Sequence, residues 1–206
     1  MPASTTLRAL SGLDDALPRL ADTTLIMIDY QNTYRTGVMA LEGAEQALAA
    51  GGRLLGAARA AGVPVIHVVN DGGEGTPYDI RAEIGAISEE VAPIAGEPVV
   101  VKQVPNAFHD TDLEKTLREA GAGKELVLAG FMTHMCVTFT AEGAFYRGYR
   151  PTVVAEATAT RALTGPDGSV VPAAALQTAA LTTIRDVFGV VAPTVADLTD
   201  RVGPRL

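Results

Sequence analysis

The chain has 206 residues and a formal net charge of −8, with 16 basic side chains scattered among 24 acidic ones. Phosphate groups are bound by clustered Lys and Arg, so this balance argues against nucleic acid and anionic membranes as partners. The length fits one domain whose core needs no metal or disulfide for stability. A single cysteine excludes an internal disulfide and suits a reducing compartment.

The first 20 residues are predicted to be an N-terminal extension of the domain. Their apolar residues are interrupted by Arg8, Asp14, Asp15 and Arg19, so they lack the continuous apolar stretch of a signal peptide. No apolar run elsewhere reaches the roughly 20 residues needed to cross a bilayer. We therefore expect a cytoplasmic protein.

Short apolar runs alternate with longer helical patterns along the rest of the chain. Strands are predicted at residues 24–29, 65–69, 99–102, 125–130, 152–155 and 190–192. Helices are predicted at residues 43–61, from about 111, at 133–146 and from 172 to about 188. Thr111 is the expected N-cap of the second helix, with Glu114 completing a capping box, and residues 165–168 are typical of a turn.

Helices between successive strands imply a mostly parallel sheet that is covered on both faces. The predicted fold class is therefore α/β, a three-layer α/β/α arrangement around a six-stranded, mostly parallel sheet. No repeat, linker or change in composition divides the sequence, so residues 1–206 are expected to form a single domain.

Three polar residues are predicted at the carboxyl ends of strands, where open parallel sheets bind their ligands. Asp29 ends the first strand, Lys102 ends the third, and Cys136 follows the fourth. Each has a structural alternative: Asp29 as a turn former or helix cap, Lys102 as a solvated strand end, and Cys136 as a small buried hydrophobe. A buried Lys102 would need a charged partner, and Asp29 and a Cys136 thiolate are suitable ones.

Cys136 lies in a tight turn between a strand and a helix, at residues 130–136. Free backbone N–H groups and the helix dipole favour an anion at such a turn, which predicts a lowered thiol pKa. The amides of Met132 and Cys136 are candidate donors of an oxyanion hole. The pattern therefore predicts Cys136 as a nucleophile.

Three segments together resemble the signature segments of the isochorismatase-like cysteine hydrolases: residues 29–32 (DYQN), 102–108 (KQVPNAF) and 130–137 (GFMTHMCV). That superfamily includes nicotinamidases, N-carbamoylsarcosine amidases and streptothricin hydrolase. The resemblance runs from about residue 23 to residue 198 and implies a Rossmann-like topology. It also implies an Asp–Lys–Cys triad at Asp29, Lys102 and Cys136, oxyanion amides at Met132 and Cys136, and a non-proline cis peptide at Phe131–Met132.

Departures from the family pattern narrow the expected activity. Nicotinamidases of the family carry an Asp-x-His…His metal site after the second strand, whereas residues 70–78 (NDGGEGTPY) contain no histidine. The three histidines, His67, His109 and His134, are dispersed, so no metal is expected. The glycine-rich segments do not match a phosphate-binding loop, so no cofactor is expected either.

The family's isochorismatases lack the cysteine and cleave an enol ether, so Cys136 favours hydrolysis of a C–N bond. A vinyl-ether hydrolase and a catalytically silent scaffold remain the alternatives. Residues that flank the triad are predicted to contact a small planar substrate, although some of them have a core or interface position as the alternative: Tyr30, Gln31, Tyr34, Phe108 and His134. The Ala-rich composition and the habit of the family predict a homo-oligomer, a dimer or larger.

Overall fold

The computed structural model describes residues 4–200, and a parallel sheet forms their centre. The strands are β1 (Thr24–Ile28), β2 (Val65–Asn70), β3 (Val99–Lys102), β4 (Glu125–Phe131), β5 (Arg150–Ala159), β6 (Leu163–Thr164), β7 (Val170–Val171) and β8 (Val190–Ala192). Six of them form one sheet in the order β3-β2-β1-β4-β5-β8, in which every neighbouring pair is parallel. The other two, β6 and β7, form an antiparallel hairpin.

Helices connect the strands and flank the sheet. They are α1 (Leu7–Leu10), α2 (Ala44–Ala61), α3 (Leu113–Glu119), α4 (Thr138–Tyr146), α5 (Ala173–Thr183) and α6 (Ala196–Thr199). Two π-helical turns, Thr133–Val137 and Ile184–Phe188, adjoin α4 and α5. Within residues 4–200 no helix is long and apolar enough to cross a membrane.

Two apolar cores lie on the two faces of the sheet. Because side chains alternate along a strand, Leu25 and Met27 of β1 pack into one core with the Leu and Ala stripe of α2. Ile26 and Ile28 of the same strand pack into the other core, which α3 and α4 cover. The sheet is therefore buried on both faces, and the predicted three-layer α/β architecture is confirmed.

The N-terminal segment from residue 4 onward is packed onto the domain. Arg8 is 3% exposed, and its guanidinium pairs with Asp15 Oδ1 at 2.9 Å and donates to the carbonyl of Val187 at 3.2 Å. The amide of Leu7 donates to Asp186 Oδ1 at 2.9 Å. These contacts attach α1 to the π-helical turn Ile184–Phe188.

Several predicted elements differ in detail from the observed ones. The capping box is wrong: Asp112 is the N-cap residue of α3, and Glu114 pairs with Arg147 and Arg118. Thr111 accepts a hydrogen bond from the amide of Leu113 but lies one residue before the cap. The helix predicted at 133–146 begins as a π-helical turn, and the predicted turn at 165–168 connects the strands of a hairpin.

Candidate active site

Asp29 follows the last residue of β1 at the carboxyl edge of the sheet. Its amide donates to the carbonyl of Val68 at 2.9 Å, and its carbonyl accepts from the amide of Gln31 at 2.7 Å, so the chain turns sharply here. The φ angle of Asp29 is 50°, in the left-handed region where Asp is one of the few non-glycine residues found. The turn leaves the carboxylate fully buried.

Lys102 is the last residue of β3, an edge strand of the sheet. Side-chain alternation exposes Val99 and Val101 and turns Val100 and Lys102 inward. The ammonium nitrogen lies 2.7 Å from Asp29 Oδ2 and 3.3 Å from Cys136 Sγ. The three side chains predicted as a triad therefore meet at one point.

Cys136 sits in the π-helical turn that follows β4. The expected cis peptide is present at Phe131–Met132, at the start of this turn. Gly130, with a φ of 134°, allows the backbones of β4 and β1 to lie this close, because a Cβ atom there would be 1.8 Å from the carbonyl oxygen of Ile28. The thiol of Cys136 is 6% exposed and also lies within reach of the Asp29 carboxylate.

Burial dominates the electrostatics of the three groups. It raises the pKa of the Asp29 carboxyl group, and the Lys102 ammonium only partly offsets that effect. For Lys102, burial lowers the pKa, but the charges of Asp29 and Cys136 outweigh it and the pKa is raised. Neither Asp29 oxygen accepts a hydrogen bond of regular geometry from residues 4–200, so the 2.7 Å contact is an ion pair with an unfavourable angle.

The expectation of a lowered thiol pKa is wrong. Burial and the negative charge of Asp29 raise the pKa of Cys136 well above the ordinary thiol value, and Lys102 compensates only in part. The sequence pattern predicts a turn with free amides around the thiol, but it does not show how deeply the thiol is buried, and burial is the largest effect on its pKa. A raised thiol pKa means that a nearby base such as the Asp29 carboxylate would favour ionisation of the sulfur.

One side of the site is aromatic. Tyr34 is 1% exposed and makes edge contacts with Phe131 and Tyr78, at ring-centroid distances of 5.6 and 5.7 Å. Burial raises the pKa of Tyr34, and the negative charges of Asp29 and Cys136 add to the effect, so the phenol lies within electrostatic range of both groups. Among the residues predicted to contact substrate, Tyr34 is the one whose pKa is affected by both Asp29 and Cys136.

Polar residues His134, Thr160 and Arg161 interact near the turn that carries Cys136. His134 Nδ1 is hydrogen-bonded to Thr160 Oγ1, and burial followed by the charge of Arg161 lowers the pKa of His134. Arg161 also acts on Tyr78, where it opposes the effect of burial. His134 is half-buried, and its contact with substrate stays a prediction.

Tyr78 and Arg161 were missed by the sequence reasoning. Arg161 follows β5, which was predicted to end at residue 155 but continues to Ala159, so Arg161 did not stand out as a residue at a strand end. Tyr78 lies in the loop after β2, and an aromatic residue in a loop at the carboxyl edge of the sheet is the signal that could have found it.

Three other predicted substrate contacts are placed differently. Tyr30 is in the core, where its hydroxyl donates to the carbonyl of Ala157 at 2.6 Å. Gln31 is fully buried, and its amide group is hydrogen-bonded to backbone groups. Phe108 stacks on Tyr149 at 6.0 Å in the same core as Cys136. All three side chains are buried, which is the core position given above as the alternative to a substrate contact.

The described residues contain no cluster of three His, Cys, Asp or Glu side chains that could hold a metal ion. The chemistry of the donor set at the sheet edge is that of a carboxylate, an ammonium and a thiol. An ammonium cannot serve as a metal ligand while it carries its proton.

The fold is that of a known family of hydrolases. The Isochorismatase domain family matches residues 23–195, so the chain belongs to the isochorismatase family. A crystal structure of an isochorismatase from Pseudomonas putida KT2440 is 40% identical with a TM-score of 0.90, covering 95% of this chain and 100% of that one. The Bacillus subtilis isochorismatase family protein YddQ is 38% identical over 85% of this chain and 98% of its own.

The secreted isochorismatase effector Isc1 of Verticillium dahliae is 34% identical over 88% of this chain and 93% of its own. The family includes amidohydrolases. Streptothricin hydrolase of Streptomyces noursei is 35% identical over 73% of this chain and 60% of its own length. Maleamate amidohydrolase of Pseudomonas putida is 33% identical over 64% of this chain and 70% of its own.

Proposed function

We propose that this protein is a cysteine-dependent hydrolase that cleaves a C–N bond in a small amide, lactam or carbamoyl compound. The observation that carries the proposal is the convergence of Asp29, Lys102 and Cys136, with the ammonium 2.7 Å from the carboxylate and 3.3 Å from the sulfur. A nucleophile, a base and an orienting charge within hydrogen-bonding distance are what covalent catalysis requires. The amidohydrolases among the relatives support the same bond class.

In the first half-reaction Cys136 attacks the substrate carbonyl and Asp29 takes the thiol proton. A carboxyl group whose pKa is raised by burial is the better acceptor for this proton. Lys102 stabilises the sulfur anion as it forms. The amides of Met132 and Cys136 are the proposed donors to the oxyanion of the tetrahedral intermediate, which collapses as Asp29 returns the proton to the departing nitrogen.

In the second half-reaction water hydrolyses the thioester. Asp29, again ionised, removes a proton from the water, whose oxygen attacks the acyl carbon. The C–S bond breaks, and the proton on Asp29 returns to the sulfur of Cys136. The products are the amine and the acid, and the three side chains regain their starting state.

The substrate proposed for this site carries a carboxylate. Arg161 Nε is buried without a hydrogen-bond partner among residues 4–200, whereas the part-buried Arg35, Arg59 and Arg150 each pair with a glutamate. A buried guanidinium with an unpaired N–H donor, close enough to His134 and Tyr78 to act on their pKa values, is suited to an anionic group on the substrate. Maleamate, which one relative is named for, is such a carboxylate.

Release of ammonia or amine from a panel of amides, lactams and carbamoyl compounds tests the function. Each compound is offered with a carboxylate and as its neutral analogue. We expect Cys136→Ala to abolish release and Arg161→Met to raise KM about 10- to 100-fold for the charged compounds alone. Arg185→Met, a change at an exposed arginine, is the control.

Two rival functions have distinct outcomes in the same assay. Cleavage of a vinyl ether without release of amine from any compound would favour an isochorismatase-type activity. No turnover of either class, with binding of a small anion to the folded protein, would favour a catalytically silent scaffold. The proposed partners are a small-molecule substrate and further copies of the chain, and light scattering that gives a 21.3 kDa monomer would contradict the second.

The proposed location is the cytoplasm. A free thiol in the active site is preserved in a reducing compartment. One relative is named a secreted effector, so fractionation of cells that express the native gene is the direct test. Recovery of the protein from the medium would contradict the proposal.

A further inference from the structure

The ammonium of Lys102 has a third neighbour besides Asp29 and Cys136. Its nitrogen lies 3.3 Å from Asn70 Oδ1, within hydrogen-bonding distance. Asn70 is the last residue of β2, and the sheet register pairs it with Lys102 on the adjacent strand. An ammonium group has three N–H donors, and here three acceptors surround it.

Asn70 is itself held in place by Gln31. The amide of Asn70 donates to Gln31 Oε1, and its carbonyl accepts from Gln31 Nε2, both at 3.0 Å. The second hydrogen of Gln31 Nε2 is donated to the carbonyl of Gly85 at 2.7 Å. Gln31 therefore fixes the backbone of Asn70 from both sides, and its buried amide group is used fully in doing so.

We propose that Asn70 is a positioning residue that keeps the Lys102 ammonium directed at the sulfur of Cys136. This positioning of the ammonium matters most after the thiol has lost its proton to Asp29. The carboxyl group is then neutral and attracts Lys102 less, so the thiolate and Asn70 Oδ1 become the more important partners of the ammonium. Without Asn70 Oδ1, a buried N–H of Lys102 has no partner, and the ammonium moves to find one.

Reactivity of the thiol provides a test that needs no substrate. The chain has one cysteine, so alkylation by iodoacetamide, followed by intact mass, reports on Cys136 alone. The test measures the alkylation rate of Cys136 as a function of pH in the wild type and in Asn70→Leu. The variant should have its midpoint at higher pH, because a displaced ammonium stabilises the thiolate less. The side-chain change leaves the backbone bonds to Gln31 in place.

Turnover of the best compound from the amide panel gives the second readout. Asn70→Leu should lower kcat about 10- to 100-fold while KM changes little, because Asn70 acts through Lys102 and not on the substrate. A purely structural role would instead lower the melting temperature without moving the alkylation midpoint. An alkylation profile that overlays the wild-type profile in a stably folded variant would overturn the proposal.

Two further variants keep the test decisive. Asn70→Ser removes Oδ1 and leaves a hydroxyl on a shorter side chain, farther from Lys102, and it replaces Asn70→Leu if that variant does not fold. Asn32→Leu is the matched control, because the Asn32 side chain bonds to Glu83 and Ser88 and not to the triad. The inference rests on the proposed function only for turnover. A shifted midpoint without amide hydrolysis by any form would leave the inference standing and remove the function.

Discussion

Lys102 Nζ lies 2.7 Å from Asp29 Oδ2, and the side chains of both residues are 0% exposed. A buried pair of this kind has a small net effect on stability, because desolvation of both charges offsets their attraction. Removal of one member has a large effect, since it leaves the other charge buried alone. This asymmetry gives a prediction that does not depend on catalysis.

Lys102→Met should lower the free energy of unfolding by about 3–5 kcal/mol at pH 8, measured by urea denaturation. The loss should become smaller as the pH falls, because burial raises the pKa of Asp29 and a protonated, neutral Asp29 needs no charged partner. Asp29→Asn combined with Lys102→Met should recover most of the stability while remaining inactive. A double variant that is no more stable than Lys102→Met would show that the pair is not coupled in this way.

The pH dependence of activity should have an acidic limb set by Asp29. Only the ionised carboxylate can accept the thiol proton, and burial raises the pKa of this group. The rate constant kcat/KM should therefore fall as the pH decreases through a value above the ordinary Asp range of about 4. A profile that stays level down to pH 4 would remove Asp29 from the role of base.

Much of the fold, and the meeting of Asp29, Lys102 and Cys136 at one edge of the sheet, could be predicted from the sequence for a physical reason. A buried parallel strand is a continuous apolar run, so Asp29 and Lys102 stood out as polar residues that end such runs. Arg161 did not, because β5 passes through an irregularity: Leu128 pairs with Val153, yet Gly130 pairs with Thr158. No local sequence pattern predicts the extra residues that β5 contains at this register shift.

Contacts between distant segments also lay beyond the sequence. The hydrogen bonds of Gln31 to Asn70 join residues 39 positions apart, and nothing near Gln31 distinguishes a substrate contact from a backbone support. The thiol pKa depends on desolvation, which sums the packing of every neighbour of Cys136. The residue types at the site could be predicted, but their electrostatic states could not.

A second cluster of charged residues, formed by Glu97, Arg59 and His67, makes the stability of the fold depend on pH. Burial alone would raise the pKa of Glu97, but hydrogen bonds from Arg59, from the amide of Ile94 and from His67 lower it to about 2. A lowered folded-state pKa stabilises the protein above the unfolded value of about 4.5. That stabilisation is lost as the pH falls from there toward 2.

Glu97→Gln should therefore reduce the free energy of unfolding by about 2 kcal/mol at pH 7, and the difference from wild type should shrink below pH 4.5. Chemical denaturation at a series of pH values measures it. Glu74→Gln, at an exposed loop position, is the control and should track the wild type. A deficit that stays constant down to pH 3 would contradict the assigned ion pairs.

Two glycines should respond in opposite directions to alanine. At Gly130 the φ of 134° and the carbonyl of Ile28, 1.8 Å from an added Cβ, forbid a side chain, so Gly130→Ala should lose more than about 3 kcal/mol or fail to fold. Gly56 lies within α2 with open space around it, and Gly56→Ala should gain up to about 1 kcal/mol. Thermal denaturation of both variants tests this prediction. Equal melting temperatures for Gly130→Ala and Gly56→Ala would contradict the assigned backbone conformations.

The remaining prediction concerns the covalent intermediate and the independence from metal. If the nucleophile is the protein's own sulfur, activity should survive exhaustive chelation, and an acyl group should appear on Cys136. The carbonyl must then be polarised by the turn amides, where loss of one donor typically costs about 10²–10³ in rate. Rapid quenching followed by intact mass and peptide mapping would locate the adduct on the single cysteine.

Variants at the base and the nucleophile distinguish the two half-reactions. Asp29→Asn should slow both formation and hydrolysis of the adduct, because the same carboxylate takes the proton from the thiol and later from water. Hydroxylamine should intercept the thioester as a hydroxamate, and Cys136→Ala should give neither adduct nor hydroxamate. Loss of activity on chelation, with recovery on addition of zinc and no adduct at any quench time, would overturn the mechanism, because a metal-bound hydroxide would then be the nucleophile.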